Sequence, residues 1–384
     1  VRILLISHEL PPVGGGGANA TANLAREMAR GGDAVTVLTG RFRGQPAREE
    51  RDGYAVVRVP VLRRRMDRSS PPEMATFALS AGLRALVGLE RPDVAVAFFG
   101  FPAGPVAAVL RALRGVPYVV SLRGGDVPGH QPAQLATAHR LLRPALVRLW
   151  RSAAAVVAPS HGLAALARRS APELDVHVVP NGVSCEVFAP PAVSTDEGTA
   201  LRLLYAGRLG AEKGLGILPS VLARLDGLPW ILDIVGDGPE RARLRTAFDA
   251  AGFDGRVRFR GWLGREAMPD AYRATDVFLF PSSGEGMPNT VLEAMASGLP
   301  VVAVRATGTD EVVVDGETGF LCDAGDAMGL ARCVDVLAAD RGLRLCMGQA
   351  ARQRAARDFS WRRGAETYAE LCRAAVREAL PHMA

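Results

Sequence analysis

Short runs of β-branched and apolar residues alternate with Ala/Leu/Arg-rich stretches of helical period along this chain. That alternation narrows the folds open to it more than any other feature. Strand-like runs occupy 3–7, 34–39, 55–59, 94–99, 118–122, 155–158 and 176–179, with helical patterns at 19–30, 73–89, 104–113, 134–150 and 162–169. Apolar strands separated by helices read as a parallel sheet covered on both faces. The pattern breaks once, in the unperiodic stretch FAPPAVSTDEGT at 188–199, and then restarts. Strand-like runs follow at 201–206, 231–235, 257–259, 277–280, 301–304 and 319–322, with helical patterns at 216–225, 240–251, 266–274, 289–297 and 327–337. The tail, 341–380, is helical with a break at Phe359-Ser360. The expected class is α/β, with two Rossmann-like, doubly wound parallel-sheet domains facing a central cleft. The expected ranges are an N-terminal domain at 1–187, a linker at 188–200, a second domain at 201–360 and a terminal helix at 361–384 that crosses back to the first domain.

With 384 residues, 48% of them hydrophobic, the chain can bury two sizeable cores. No stretch of ~18 uninterrupted apolar residues suggests a membrane span, and no secretory pattern is visible. The cysteines (185, 322, 333, 346, 372) form neither a CxxC nor a Cys/His metal spacing, so reduced thiols in the cytoplasm are expected. Charge is uneven: residues 1–190 hold 23 arginines against 14 acidic residues, and the remainder 23 basic against 26 acidic. The densest basic run lies between 41 and 68. It reads either as a solvated loop or as a surface for anionic lipid or phosphate-bearing acceptors, a peripheral membrane contact. Aromatic residues are 6% and do not interleave with it, which disfavours a nucleic-acid surface.

In doubly wound sheets, ligands gather at the carboxyl ends of the strands. In the second half those ends carry Gly207-Arg208, Gly236-Asp237-Gly238, Ser282-Ser283-Gly284-Glu285-Gly286 and Arg305-Ala306-Thr307-Gly308. Glycine lets backbone N–H groups approach a ligand, and helix N-termini add partial positive charge. Nearby stands Lys213, the single lysine among 46 basic residues. An ammonium is a compact point charge where a guanidinium is a planar fork, so a phosphate site is a reason for one lysine to be kept in an arginine-rich chain. Glu285 and Glu293 bracket GMPNTVL, and two carboxylates of this kind suit vicinal sugar hydroxyls.

Several motifs occur in order: Gly14-Gly15-Gly16-Gly17, APSHG at 158–162, VPNGV at 179–183, YAGRLGAEKG at 205–214, IVGDGPE at 234–240 and SSGEGMPNTVLEAMASGLPVVA at 282–303. On these the chain resembles the family 4 retaining glycosyltransferases of the GT-B fold over essentially its whole length. The resemblance implies a nucleotide sugar as co-substrate, with no further cofactor and no metal. It implies Arg208 and Lys213 on the diphosphate, Glu293 on the ribose and Glu285 on the donor sugar, where Glu285 serves catalysis. Gly236, Gly286, Met287, Pro288, Asn289 and Thr290 complete the donor site, and Gly15, Gly16 and Gly17 approach the phosphates from the first domain.

Two departures from the family pattern stand out. Where many relatives carry a histidine in an HGxD-like stretch, this chain has Arg123 in Leu122-Arg123-Gly124-Gly125-Asp126, and a guanidinium is no base near neutral pH. Arg123 then either binds substrate or leaving-group charge or is structural; Asp126 is the candidate orienting carboxylate or weak base. Pro288 removes one backbone donor from the phosphate-facing turn. His8 and His130 are the candidate acceptor contacts. The stretch 139–151, HRLLRPALVRLWR, reads as an amphipathic helix covering the sheet or lying on an anionic bilayer. The expected reaction is retaining transfer of a hexose-type sugar from a nucleotide donor, UDP before GDP, to an acceptor hydroxyl. The expected setting is bacterial cell-surface glycan or glycolipid assembly. A soluble secondary metabolite as acceptor, a sugar-nucleotide epimerase and a non-catalytic nucleotide-sugar binding subunit are the alternatives.

Overall fold

The computed structural model describes residues 1–66, 69–130, 132–191, 200–225 and 227–379, with backbone alone at 132–136 and 138. The chain divides into two compact units, residues 1–181 with 361–384, and 182–360. The α/β reading with two parallel-sheet domains is borne out.

The first unit is built on β1 (Arg2–Ile6), β2 (Ala34–Gly40), β3 (Arg48–Arg51), β4 (Tyr54–Val59), β5 (Val94–Phe98), β6 (Tyr118–Ser121), β7 (Ala155–Ala158) and β8 (Val176–Val178). They lie in the order β3-β4-β2-β1-β5-β6-β7-β8, parallel except for the β3–β4 hairpin. Asp52 and Gly53 turn that hairpin with positive φ at both positions, the geometry that matches strand twist in a two-residue loop. The strand order reverses at β1 and β5.

The helices are α1 (Gly16–Arg30), α2 (Pro71–Val87), α3 (Gly104–Arg114), α4 (Pro132–Arg151), α5 (His161–Ser170) and, from the end of the chain, α12 (Trp361–Ala379). Alternate strand residues face opposite cores, as a strand's two-residue period requires. Leu4, Ile6, Ala95 and Val120 pack under α2 to α5 against Phe77, Leu110 and Trp150. Ile3, Leu5, Val94 and Val96 pack under α1 and α12 against Leu24, Met28, Trp361 and Tyr368. Each large apolar side chain so enclosed contributes roughly 1.5–3 kcal/mol. Helix starts follow local signals. Glu73 reaches back to the Ser70 N–H at 2.7 Å ahead of α2, whose first residues are prolines, and Ser160 accepts from Leu163 N–H ahead of α5.

The second unit carries β9 (Leu201–Ala206), β10 (Trp230–Val235), β11 (Val257–Gly261), β12 (Val277–Phe280), β13 (Val301–Val304) and β14 (Gly319–Cys322). All are parallel, in the order β11-β10-β9-β12-β13-β14. Its helices are α6 (Leu218–Leu222), α7 (Arg241–Ala250), α8 (Met268–Arg273), α9 (Asn289–Ala296), α10 (Ala327–Ala339) and α11 (Arg341–Asp358). One face packs Leu203, Leu232 and Val302 with Leu222, Phe248 and Val334; the other packs Leu204, Phe278 and Val301 with Tyr272, Leu292 and Ala351. The helix expected over 216–225 is shorter: 3-10 turns at Ala211–Lys213 and Leu215–Ile217 precede α6.

The chain enters the second unit at Gly182, ahead of the expected linker. A backbone bridge from Val183 to Ser360 holds it there, and Val183 and Phe188 are buried in the second unit's core, Phe188 edge-on against Tyr272 at 5.7 Å. Residues 192–199 of the expected linker lie outside the described residues, as do Asp67 and Arg68 of the basic run and 380–384 of the tail.

Candidate active site

In the second unit the loops that follow β9, β10 and β12 converge at the carboxyl ends of the strands, where the strand order reverses between β9 and β12. Their approach is close enough to demand glycine at two places. A Cβ on Gly214 (φ +68°) would stand 2.3 Å from the Pro281 carbonyl oxygen, and one on Gly236 (φ +128°) 1.9 Å from that of Gly207. The Gly236 N–H donates to the Gly261 carbonyl at 2.7 Å, so this expected donor contact spends its N–H on packing the turns.

Lys213 ends the 3-10 turn that Gly214 allows, and its Nζ lies 2.5 Å from Glu285 Oε1. Ser282 Oγ donates to the same oxygen at 2.7 Å. Two residues expected on adjacent parts of one ligand thus meet directly, from loops 72 residues apart. Both side chains remain partly accessible, at 16% and 15%. Arg208, on the β9 loop, is paired with Glu212 and keeps 38% of its side-chain surface. Both cations at this rim therefore carry an internal carboxylate partner.

Glu293 sits one turn into α9. Its Oε2 accepts the Tyr272 hydroxyl at 2.9 Å, and that hydroxyl also reaches the Thr290 carbonyl at 3.3 Å. Burial pushes the Glu293 carboxyl up to about 7; the Tyr272 hydrogen bond and the positive charge of Arg265 pull the other way and do not cancel it. Tyr272 is wholly buried and its phenol is held well above its ordinary range by that burial, which keeps it a donor. Pro288, in extended conformation, caps α9, and Asn289 opens the helix. Met287 turns its side chain into the core. Gly286 lies under Gly308, where a Cβ would stand 2.7 Å from the Gly286 carbonyl oxygen.

In the first unit, Gly15 is the N-cap of α1, and Gly16 and Gly17 form its first residues. A Cβ on Gly17 would strike the Phe99 ring at 2.5 Å, whereas Gly15 has open space around it. His8 is buried against Phe99 and Phe77, with ring centroids at 5.1 and 6.2 Å. Burial lowers its pKa and keeps the ring neutral; the nearby Glu9 charge opposes this and Arg63 adds to it. Among the described residues His8 Nδ1 has no hydrogen-bond partner. Glu9 is paired with the buried Arg63 at 2.9 Å.

Arg123 and Asp126 belong to one tightly held loop. Asp126 Oδ1 accepts the N–H groups of Arg123 (2.9 Å) and Gly124 (3.0 Å), and Oδ2 accepts that of Gly100 (2.6 Å). Its two oxygens thus accept three backbone N–H groups. Arg123 donates to Asn181 Oδ1 at 2.7 Å and to the Tyr368 hydroxyl at 3.2 Å, and lies over the Phe98 ring at 4.8 Å. His130 is buried over Gly124, with Nε2 2.9 Å from where a Cβ would be, and His139 Nε2 lies 2.9 Å from the Gly125 carbonyl.

Tyr272, Glu9 and Arg63 are site partners that the sequence analysis does not name; Ser282 and Glu212 lie within stretches it quotes but are given no role there. The signal for Ser282 is its place three residues before Glu285 in a turn. Tyr272 and Arg63 become partners only through tertiary packing.

Residues 191–354 match the model of the family "Glycosyl transferases group 1", and residues 15–182 that of the "Glycosyl transferase 4-like domain". The lipopolysaccharide core biosynthesis glycosyltransferase of Rhizobium meliloti is 36% identical over 169 residues, 44% of this chain and 48% of that protein, so the match spans about half of that relative's length. The GDP-mannose-dependent alpha-mannosyltransferase of Mycolicibacterium smegmatis is 31% identical over 356 residues, 89% of this chain and 90% of that one. Sucrose-phosphate synthase from Thermosynechococcus elongatus shares the fold, with a TM-score of 0.83 at 23% identity over 97% of this chain and 98% of that one.

Proposed function

The chain belongs to the family 4 type of glycosyltransferase with the GT-B fold, and from that premise we propose that it transfers a hexose-type sugar, with retention of configuration, from a nucleoside diphosphate donor held by its second unit to an acceptor hydroxyl. The observation that carries this reading is the single lysine. Its ammonium is poised against Glu285 where loops converge at the carboxyl ends of a parallel sheet.

In this reading the diphosphate takes Lys213 and Arg208, and the sugar hydroxyls take Glu285. Catalysis rests on leaving-group stabilisation: charge develops on the departing phosphate, and two preorganised cations meet it there. Because Lys213 already bears on Glu285, one ammonium links the anchor of the sugar to the group that departs. Glu293 takes the ribose, and the backbone of 286–290 lies along sugar and phosphate. Arg123 is no base, and Asp126 is spent on backbone N–H groups. This favours attack on the face that the phosphate leaves, with a phosphate oxygen accepting the proton of the acceptor hydroxyl. No metal is required, since the cations are the protein's own.

The reading places the acceptor in cell-surface glycan or glycolipid assembly, supported by the rhizobial relative's part in lipopolysaccharide core biosynthesis. The base is tested among UDP and GDP donors, because the mannosyltransferase relative is GDP-mannose-dependent. The experiment is a thermal-shift screen of UDP- and GDP-sugars followed by donor turnover with and without acceptor alcohols. A ligand that binds only the folded state raises the melting temperature. Lys213→Ala is expected to remove the shift and to lower kcat/KM by about 10- to 100-fold, the worth of a charge-assisted contact. Lys213→Arg is expected to recover only part, since a fork does not replace a point charge. Turnover of donor without acceptor into an isomeric donor would favour the epimerase, and binding without any turnover the non-catalytic subunit. A full shift in Lys213→Ala would overturn the site.

A further inference from the structure

The helix α2 (Pro71–Val87) departs from the rule for surface helices. One face does what is expected: Phe77, Ala81 and Ala85 are buried in the core of the first unit. The opposite face should be polar, and it is not. Leu79, Leu83 and Val87 follow each other at four-residue spacing and are 76%, 67% and 79% exposed. In all seventeen residues the only charged side chains are Glu73 and Arg84. A helix that is apolar all round is a helix covered on both sides.

The neighbouring loop extends this stripe and edges it with positive charge. The Leu62 N–H donates to Thr76 Oγ1 at 3.3 Å, which lays Leu62, 68% exposed, beside the second turn of α2. The Arg64 N–H donates to Glu73 Oε1 at 2.9 Å, so exposed Arg64 and Arg65 stand at the start of the helix. Exposed Arg48, on the β3 edge, lines the same groove as Leu83 and Val87. Residues 41–66 contain eight arginines and three acidic residues. Of these, Glu49 is taken by Arg51 and Arg58, which leaves the rim net positive.

We propose that the outer face of α2, with the 62–66 loop, docks on the surface of an anionic lipid bilayer. Leu62, Leu79, Leu83 and Val87 enter the acyl boundary, while Arg48, Arg64 and Arg65 meet lipid phosphates. Both components are needed for stable interfacial binding, apolar area and attraction to anionic headgroups. Charge favours this occupant over a second copy of the chain: a two-fold contact through the same face would bring two arginine rims together, whereas a phosphate surface neutralises one. The helix lies on the bilayer and does not cross it; among the described residues no helix is long and apolar enough to do so. This docking does not depend on the donor assignments in the second unit.

The test is co-sedimentation of the full chain with vesicles of phosphatidylcholine alone and of phosphatidylcholine and phosphatidylglycerol in equal amounts. Pelleting is expected with the mixed vesicles only, with release by high salt. Leu79→Glu/Leu83→Glu is expected to lower the partition by at least about tenfold. Arg64→Glu/Arg65→Glu is expected to reduce it to the level seen with phosphatidylcholine alone. Both variants should keep the melting temperature, as the substituted side chains are exposed. Should the leucine variant fold poorly, Leu79→Trp supplies a second readout: its emission should shift to the blue on mixed vesicles and stay unchanged on neutral ones. Absence of pelleting, pelleting untouched by the leucine pair, or no blue shift in a folded Leu79→Trp overturns the proposal. So does a dimer in solution that the leucine pair converts to monomer, which would assign the face to a second copy.

Discussion

At the scale of single residues, Glu293 gives the most direct handle on the donor site. Its carboxyl is raised to about 7 by burial, above an ordinary value of about 4.3. A raised acid means that the folded state binds more protons than the unfolded state between those two values. The associated stability is therefore full below about pH 4 and is lost as pH rises through about 7. In ligand-free protein, Glu293→Gln is expected to flatten this part of the melting-temperature profile and to raise stability at pH 8, by on the order of 1–3 kcal/mol. If the carboxylate form holds the ribose, donor affinity runs the opposite way and improves from pH 6 to pH 8. Tyr272→Phe removes the hydroxyl that stabilises the carboxylate. It is expected to move the midpoint of the donor-affinity profile to higher pH while kcat changes less than KM. Titration of donor binding across this range checks both variants, and an unmoved midpoint in Tyr272→Phe would mean that the hydroxyl only packs.

At the scale of elements, the second unit's site is a set of turns held in contact by residues without side chains. Gly236→Ala is expected to cost several kcal/mol, because its Cβ would stand 1.9 Å from a carbonyl oxygen at a left-handed φ. Denaturant melts would show this as a lower midpoint with an unchanged slope. The same elements show what sequence pattern can and cannot reveal. Strands β9, β10, β12 and β13 are legible within a residue because each is an apolar run bounded by glycine or proline, after the run in the first three and before it, at Pro300, in β13. The edge strand β3 is not, since Arg48, Glu49, Glu50 and Arg51 offer no apolar alternation, although Asp52-Gly53 is a hairpin signal. Lys213, Glu285 and Glu293 stand out by rarity and spacing. Tyr272, the partner of Glu293, and Glu212, the partner of Arg208, do not, because a buried tyrosine and a glutamate in a short turn look ordinary until packing sets them beside a site. The substitution at Arg123 is visible in the sequence, but its partners are Asn181 and Tyr368, contributed by two distant segments.

At the scale of the whole molecule, the first unit is discontinuous in sequence. Trp361, Tyr368 and Cys372 of α12 lie in the same core as Leu24 and Met28 of α1, and the Tyr368 hydroxyl bonds Ser121 as well as Arg123. Trp361→Ala is expected to cost about 3–5 kcal/mol, the usual loss for a large buried aromatic. Deletion of 361–379 is expected to abolish the cooperative melt of the first unit while the second still unfolds as a unit, as calorimetry of the two transitions would report.

The return of α12 also sets an order of assembly during synthesis. All strands of the first unit leave the ribosome before any strand of the second, yet one face of that early sheet has no complete cover until the last helix is made. The later unit, contiguous from 182 to 360, is the one that can close first, and the nascent first unit must be kept from sticking while it waits.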